Sequence, residues 1–141
     1  MPGQESGVTV YGEQRGAAIA DFDRDGRLDL AVSQNGAATR LFQNQGGKSG
    51  LRVRVKGGAA NPSGVGAVVR LIFGEAKGPA KEIHAGSGYW SQDSPILVFG
   101  LPREPTALWV QWPGGKAATY LVPTAAKEVT VSVEGEVEQV K

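Results

Sequence analysis

Residues 21–30 read Asp21-Phe-Asp-Arg-Asp-Gly-Arg-Leu-Asp-Leu30, with four carboxylates at every second or fourth position around one glycine, in a chain whose formal net charge is only +1. At an effective dielectric near 20, two carboxylates about 4 Å apart repel by roughly 4 kcal/mol, so four converging on one point need a cation between them. Calcium takes about six to eight oxygens at about 2.3–2.6 Å, and a short loop meets that demand by turning alternate side chains inward and adding a backbone carbonyl. In this spacing Asp21, Asp23 and Asp25 point inward in turn, Gly26 permits the bend, Arg27 offers its carbonyl and Asp29 closes the site. An EF-hand needs a glutamate at the twelfth loop position and a helix on either side. Here that position is Val32, and the flanks GAAIAD and LDLAVS read as strands. The expectation is a strand–loop–strand calcium turn within an all-β chain.

The composition agrees with many short strands. Glycine contributes 21 of 141 residues, about twice its usual share, and the glycines separate short Val, Ile, Leu, Trp and Tyr runs. Alternating segments predict strands near 16–21, 28–33, 39–43, 51–56, 66–73, 80–85, 95–99, 106–112, 118–122 and 127–133. Asn35-Gly36 suits a tight hairpin turn, and Trp112-Pro-Gly-Gly115 sets Pro113 and Gly114 where a type II turn wants them. Strands that return at once imply antiparallel pairing. In the last strand Val129, Val131 and Val133 are expected inward, with Thr130 and Ser132 outward. Residues 46–50, GGKSG, divide a three-stranded meander, 1–50, from an antiparallel β-sandwich or jelly roll, 51–141. Three strands alone have two open edges and no core, so the meander is expected to lean on the sandwich.

Several function classes are excluded at this stage. There is no cysteine, hence no disulfide, thiolate metal site or cysteine nucleophile. Fifteen basic and fourteen acidic residues are interspersed, so no concentrated basic face exists for nucleic acid. Arg52, Arg54 and Lys56 alternate with Leu51, Val53 and Val55 and read as the solvent side of a half-buried strand. No apolar run reaches the roughly 20 residues that a membrane-spanning helix needs. MPGQESGVTV lacks the charged and apolar regions of a signal peptide, so the chain reads as cytoplasmic or as a mature piece of something exported.

RGAAIADFDRDGRLDLAVSQNG resembles one FG-GAP/VCBS repeat, the unit of integrin-type propellers. The resemblance implies calcium as cofactor, with Asp21, Asp23, Asp25, the Arg27 carbonyl and Asp29 as ligands. A propeller needs at least four blades, and only one repeat is present, so the three strands lean on the sandwich, pair with another chain or are the end of a longer propeller; packing on the sandwich is the favoured expectation. Residues 51–133 resemble the ASPIC/UnbV domain of the cartilage acidic protein and UnbV-like family, which follows such repeats. The matching pieces are Asn61-Pro-Ser-Gly-Val-Gly-Ala67, Gly86-Ser-Gly-Tyr-Trp-Ser-Gln-Asp93, Leu97-Val-Phe-Gly-Leu101 and Val110-Gln-Trp-Pro-Gly-Gly115. Trp90 and Pro102 depart from the usual pattern. Together the resemblances imply an extracytoplasmic, calcium-dependent binding or adhesion module whose partner is a protein or polysaccharide on a cell surface or matrix.

Catalysis finds little support in the residues. His84 is the single histidine; Ser87, Ser91, Ser94 and Asp93 lie nearby, but no GxSxG elbow surrounds a serine. Glu75, Glu82 and Glu104 are scattered, with no sign of a glycosidase pair. The chain is expected not to be an enzyme. GSGYWSQD is the better working surface: Tyr89 and Trp90 offer flat rings beside Gln92 and Asp93, the combination that stacks on sugars and accepts their hydroxyl hydrogen bonds, with Trp109 able to join. The alternative is that Tyr89 or Trp90 caps the sandwich core.

Overall fold

A computed structural model describes residues 2–140. After a single helical turn, α1 (Gly3–Ser6), the chain is β throughout: β1 (Gln14–Ala20), β2 (Asp29–Gln34), β3 (Ala37–Phe42), β4 (Leu51–Lys56), β5 (Val68–Phe73), β6 (Ala76–Lys77), β7 (Lys81–Glu82), β8 (Leu97–Phe99), β9 (Ala107–Gln111), β10 (Ala117–Leu121), β11 (Glu128–Ser132) and β12 (Val137–Val140). β1, β2 and β3 form an antiparallel meander. The remaining strands form two sheets, one in the order β10-β9-β5-β6 with β7 also on β5, the other in the order β12-β11-β4-β8.

The sheets are held face to face by apolar side chains at alternate strand positions. Val69, Leu71 and Phe73 of β5 and Leu108 and Val110 of β9 meet Leu51, Val53 and Val55 of β4 and Val129 and Val131 of β11 in one core. Trp112, at the end of β9, is buried with Tyr120 of β10. The indole Nε1 donates to Tyr120 Oη at 3.3 Å, and that hydroxyl donates to the Ser132 carbonyl at 2.9 Å. The two sheets are thereby joined by hydrogen bonds within the core. The turn after Trp112 has the expected chemistry: Gly115 N bonds the Trp112 carbonyl at 3.0 Å, and Gly114, at φ 91°, takes the left-handed position.

Three expectations are corrected. First, not all pairing is antiparallel, because β4 and β11 run parallel, Val53 beside Val129 and Val55 beside Val131. They are the first and last long strands of the sandwich, and the chain between them, which forms the other sheet and β8, serves as the crossover that parallel neighbours require. Second, β12 and β6 were not expected. β12 pairs along β11 and turns it into an interior strand, so Thr130 and Ser132 are buried, while Val133, beyond the strand end, is 40% exposed. Third, Arg52 does not face solvent.

Arg52 is 4% exposed. It lies on the outer face of its sheet beside Glu128 in the β4–β11 register, and that face is covered by the meander. Its Nε donates to Glu128 Oε2 at 2.8 Å, and its Nη1 donates to Asp21 Oδ2 and to the Asp21 carbonyl. Burial works against the Arg52 charge, but the hydrogen bonds to Glu128 and Asp21, with their negative charges, outweigh it and hold the pKa above its ordinary value.

Other contacts close the seam. Ser94 N donates to the Ile19 carbonyl at 3.0 Å and Ile19 N to Asp93 Oδ1 at 2.8 Å, so residues 93–94 cover the outer edge of β1. The segment 46–50, read as a boundary, packs under the acidic loop: Gly50 N bonds the Gly26 carbonyl at 2.8 Å and Ser49 Oγ the Asp25 carbonyl at 2.5 Å. The meander does lean on the sandwich, through Arg52 and through residues 93–94.

Two substitutions test these joints. Arg52→Met is expected to lower unfolding stability by about 3–5 kcal/mol in a denaturant titration, since it leaves the Asp21 carboxylate without its cation and Glu128 with only Arg54 at 3.8 Å; Arg52→Lys restores only part, because one ammonium does not reproduce the two-sided fork. Tyr120→Phe strands the Trp112 N–H and is expected to cost about 1–3 kcal/mol in the same measurement.

Candidate metal centre and aromatic hairpin

The acidic loop joins β1 to β2 and is folded by its own carboxylates. Asp21 Oδ1 accepts from Asp25 N at 3.0 Å and Asp21 Oδ2 from Gly26 N at 2.9 Å, while Asp23 Oδ1 accepts from Asp25 N at 3.3 Å. Such bonds from a carboxylate to the backbone a few residues on are the local device that lets aspartate shape turns. The chain bends through Arg24 and Gly26, at φ 64° and 84°. A Cβ on Gly26 would run into Ser49 Oγ and the Gly50 backbone, so both conformation and space require glycine there.

One carboxylate oxygen from each of Asp21, Asp23 and Asp29 lies within 4.8 Å of the others, Asp21 and Asp29 buried and Asp23 exposed. Asp25 is not brought into this cluster; its carboxylate pairs with the Arg27 guanidinium and accepts from Arg27 N at 2.8 Å. The loop is closed from outside by residues with no sequence signal. Asn44 N donates to Asp29 Oδ1 at 2.8 Å, Gln43 Nε2 to Asp23 Oδ2 at 2.6 Å, and Arg27 Nε to the Asn44 carbonyl at 2.6 Å. Gln43 and Asn44 stand 20 and 15 positions from the aspartates they touch, beyond any local motif.

The charge pattern fits a divalent ion. Arg52 serves Asp21 and Arg27 serves Asp25. Asp23 and Asp29 receive only neutral donors, from Gln43 and Asp25 and from Phe22 and Asn44. Among the described residues two carboxylates therefore stand together without a cation of their own, beside a third, which is a hard-oxygen donor set of the kind calcium takes.

The second candidate region follows β7. Gly88 and Ser91 form a β-bridge that leaves Tyr89 and Trp90 at the tip of a tight turn. Both rings face solvent, at 68% and 83% exposed, so neither caps the core. Their centroids lie 6.0 Å apart with planes inclined at 51°. Trp90 holds φ 53°, a conformation that costs a bulky residue roughly 1–3 kcal/mol and persists only when its surroundings impose it. Those surroundings are the 2.6 Å bond from Asp93 N to Ser87 Oγ and the close approach to β1, where a Cβ on Gly16 would meet the Tyr89 and Trp90 carbonyls at 3.0 Å.

Of the other expected members, Gln92 is exposed, but Asp93 spends a carboxylate oxygen on Ile19 N. Trp109 is half-buried on β9, cross-strand from Arg70 and Thr119. It is not brought to the hairpin, and Tyr89 with Trp90 is the one ring pair among the described residues. His84, Ser87, Asp93 and Ser94 share a cavity of about 250 Å³ between meander and sandwich. Within it His84 Nδ1 lies 3.7 Å from Glu82, while Ser87 and Ser94 Oγ accept backbone N–H groups from Asp93 and Ile96.

The ASPIC and UnbV family model matches residues 57–139, which include all four motifs of the sandwich and stop short of the acidic loop. The chain is 35% identical over 119 residues to cartilage acidic protein 1 of Xenopus tropicalis, covering 79% of this chain and 18% of that protein. It is 34% identical over 131 residues to the Mus musculus protein of that name, covering 87% and 20%, and 35% identical over 113 residues to that of Homo sapiens, covering 74% and 17%. The chain thus spans about a fifth of the length of these relatives. Among the described residues no helix is long and apolar enough to cross a membrane. With the family match over more than half of its length and relatives of this similarity, the chain belongs to the ASPIC and UnbV family.

Proposed function

We propose that this chain is a non-catalytic, extracytoplasmic binding or adhesion module that holds calcium in a loop of the FG-GAP/VCBS kind. The observation that carries the calcium reading is the cluster of Asp21, Asp23 and Asp29, two of whose carboxylates have no cationic partner. Calcium bound there supplies positive charge that relieves the repulsion among the three. Its role is cohesive: Asp21 also holds Arg52, so an ion that steadies Asp21 steadies the docking of the meander on the sandwich. The name of the relatives, cartilage acidic protein 1, supports a place outside the cytoplasm. The partner is a protein or polysaccharide of a cell surface or matrix.

A second reading names the ligand class. Tyr89 and Trp90 are two exposed rings on a turn with a strained backbone, an arrangement that keeps flat apolar faces ready for sugar rings at little cost in side-chain ordering. Gln92 is at hand for hydroxyl groups, whereas Asp93 commits one of its two carboxylate oxygens to Ile19 N and Trp109 lies on β9.

Calorimetry tests the metal. If the site binds at about 0.1–1 mM, as extracellular modules typically do, about 5 mM calcium added to chelator-treated protein stabilises it by about 1–2 kcal/mol, a rise of a few degrees in Tm. Asp23→Ala is expected to abolish the rise while leaving the metal-free Tm nearly unchanged. An unchanged wild-type melting curve removes calcium from the reading. For the ligand, a glycan array probed with wild type and Trp90→Ala is decisive: signals on polysaccharides that disappear in the variant are expected, and silence across the array directs the search to protein partners.

A further inference from the structure

A different part of the sandwich has the makings of a small-molecule site. Between the β5–β6–β7 edge of one sheet and β8 of the other lies a cavity of about 360 Å³, bordered by neither the acidic loop nor the aromatic hairpin. Its floor is the core itself, Leu71, Phe73 and Phe99, all buried; its rim is the exposed pair Pro79 and Pro102. A volume of this size falls at the lower end of the range for ligand pockets, roughly 300–1,000 Å³.

Two cations line it. Lys81 stands opposite Val69 in the β5–β7 register, and Val69 is fully buried in the core. Opposed residues of an antiparallel pair share a face, so the lysine stem is directed to the interior side. Its Nζ lies 5.2 Å from the centre of the Phe99 ring and donates to the Val98 carbonyl at 2.6 Å, which uses one of its three donors. The Arg103 guanidinium lies 5.8 Å from the centre of the Phe73 ring and donates to the Phe73 carbonyl at 2.9 Å.

Among the described residues no acidic side chain lines the cavity, and neither cation has an ion-pair partner. Burial pushes the Lys81 ammonium below its ordinary value of 10.5. An inward lysine near a sheet edge also guards against edge-to-edge pairing, but that role accounts neither for the second cation nor for the apolar chamber between them.

We propose that this cavity binds a small organic carboxylate with an apolar body, its carboxylate set between Lys81 and Arg103 and its aryl or medium-length alkyl body against Phe73 and Phe99. A cationic ligand is repelled, a neutral one leaves both charges unpaired, and a bare inorganic anion gains nothing from the aromatic floor.

The test titrates the full chain with 4-phenylbutyrate and octanoate by isothermal calorimetry, with the corresponding amides as uncharged counterparts. The carboxylates are expected to bind at least about tenfold tighter than the amides, as loss of a partly desolvated charge pair implies. Lys81→Met and Arg103→Met, which keep apolar stems, are each expected to weaken binding by at least about tenfold with unchanged circular dichroism, and Trp90→Ala to leave it as in the wild type. If Lys81→Met fails to fold, exposed Arg103 carries the test alone. Absence of heat for both carboxylates up to about 10 mM, on the affinity scale where each tenfold is 1.4 kcal/mol, overturns the proposal. Equal binding of the amides, or of a folded methionine variant, overturns it as well.

Discussion

A single guanidinium, Arg52, stands between carboxylates drawn from opposite ends of the chain. Asp21 comes from the turn after the first strand and Glu128 from the start of the last long one. Removing three charged groups from water is expensive, and the attraction among them repays that cost only when their hydrogen bonds are met. Here they are: no buried side-chain nitrogen or oxygen among the described residues lacks a partner. Arginine suits the post because it keeps its charge at every physiological pH and because its planar fork reaches two carboxylates in different directions. An apolar contact of the same size would press the two units together without fixing their orientation, whereas two donors and three acceptors define it.

That orientation matters for the acidic loop. Asp21 faces two ways: Oδ2 accepts from Arg52 and from Gly26 N, and Oδ1 accepts from Asp25 N within the turn. The loop therefore has its shape from hydrogen bonds before any ion arrives, and the remaining repulsion is concentrated between Asp23 and Asp29. A site so arranged needs little rearrangement to accept a cation, and whatever the cation contributes is passed through Asp21 into the seam with the sandwich. In the proposed reading, metal and arginine act on the same carboxylate, and so on the same joint.

How much of this was legible in the sequence follows from the range over which each interaction works. The acidic turn, the Trp112-Pro-Gly-Gly115 turn and the alternation of β5 and β9 are local, and the structure has them where the residues imply. The exposure of Tyr89 and Trp90 was half legible, since the small residues around them mark a turn but do not say which way it points. The role of Arg52 was hidden. On β4 it alternates with Val53 and Val55 just as a solvated residue does, and its partners lie 31 and 76 positions away. The burial of Thr130 and Ser132 was hidden for the same reason, because it depends on β12 and on the parallel neighbour β4. Trp109 was read from its chemistry alone, and the strand order sets it on β9 between Arg70 and Thr119, while the hairpin lies outside the sheets.

The parallel pairing of β4 with β11 also sets an order of events. Sheets whose neighbours are far apart in sequence form late, since the chain between them must be gathered first. As the polypeptide leaves the ribosome, the meander emerges early with its cluster of like charges, while Glu128 is still unsynthesised. Arg52 can reach Asp21 in that interval but cannot be sealed beneath a finished sheet, and the core residues of β4 remain wet. The acidic turn thus acquires its final footing only when Glu128 arrives, in the same closing step that brings β11 against β4 and completes the hydrophobic interior.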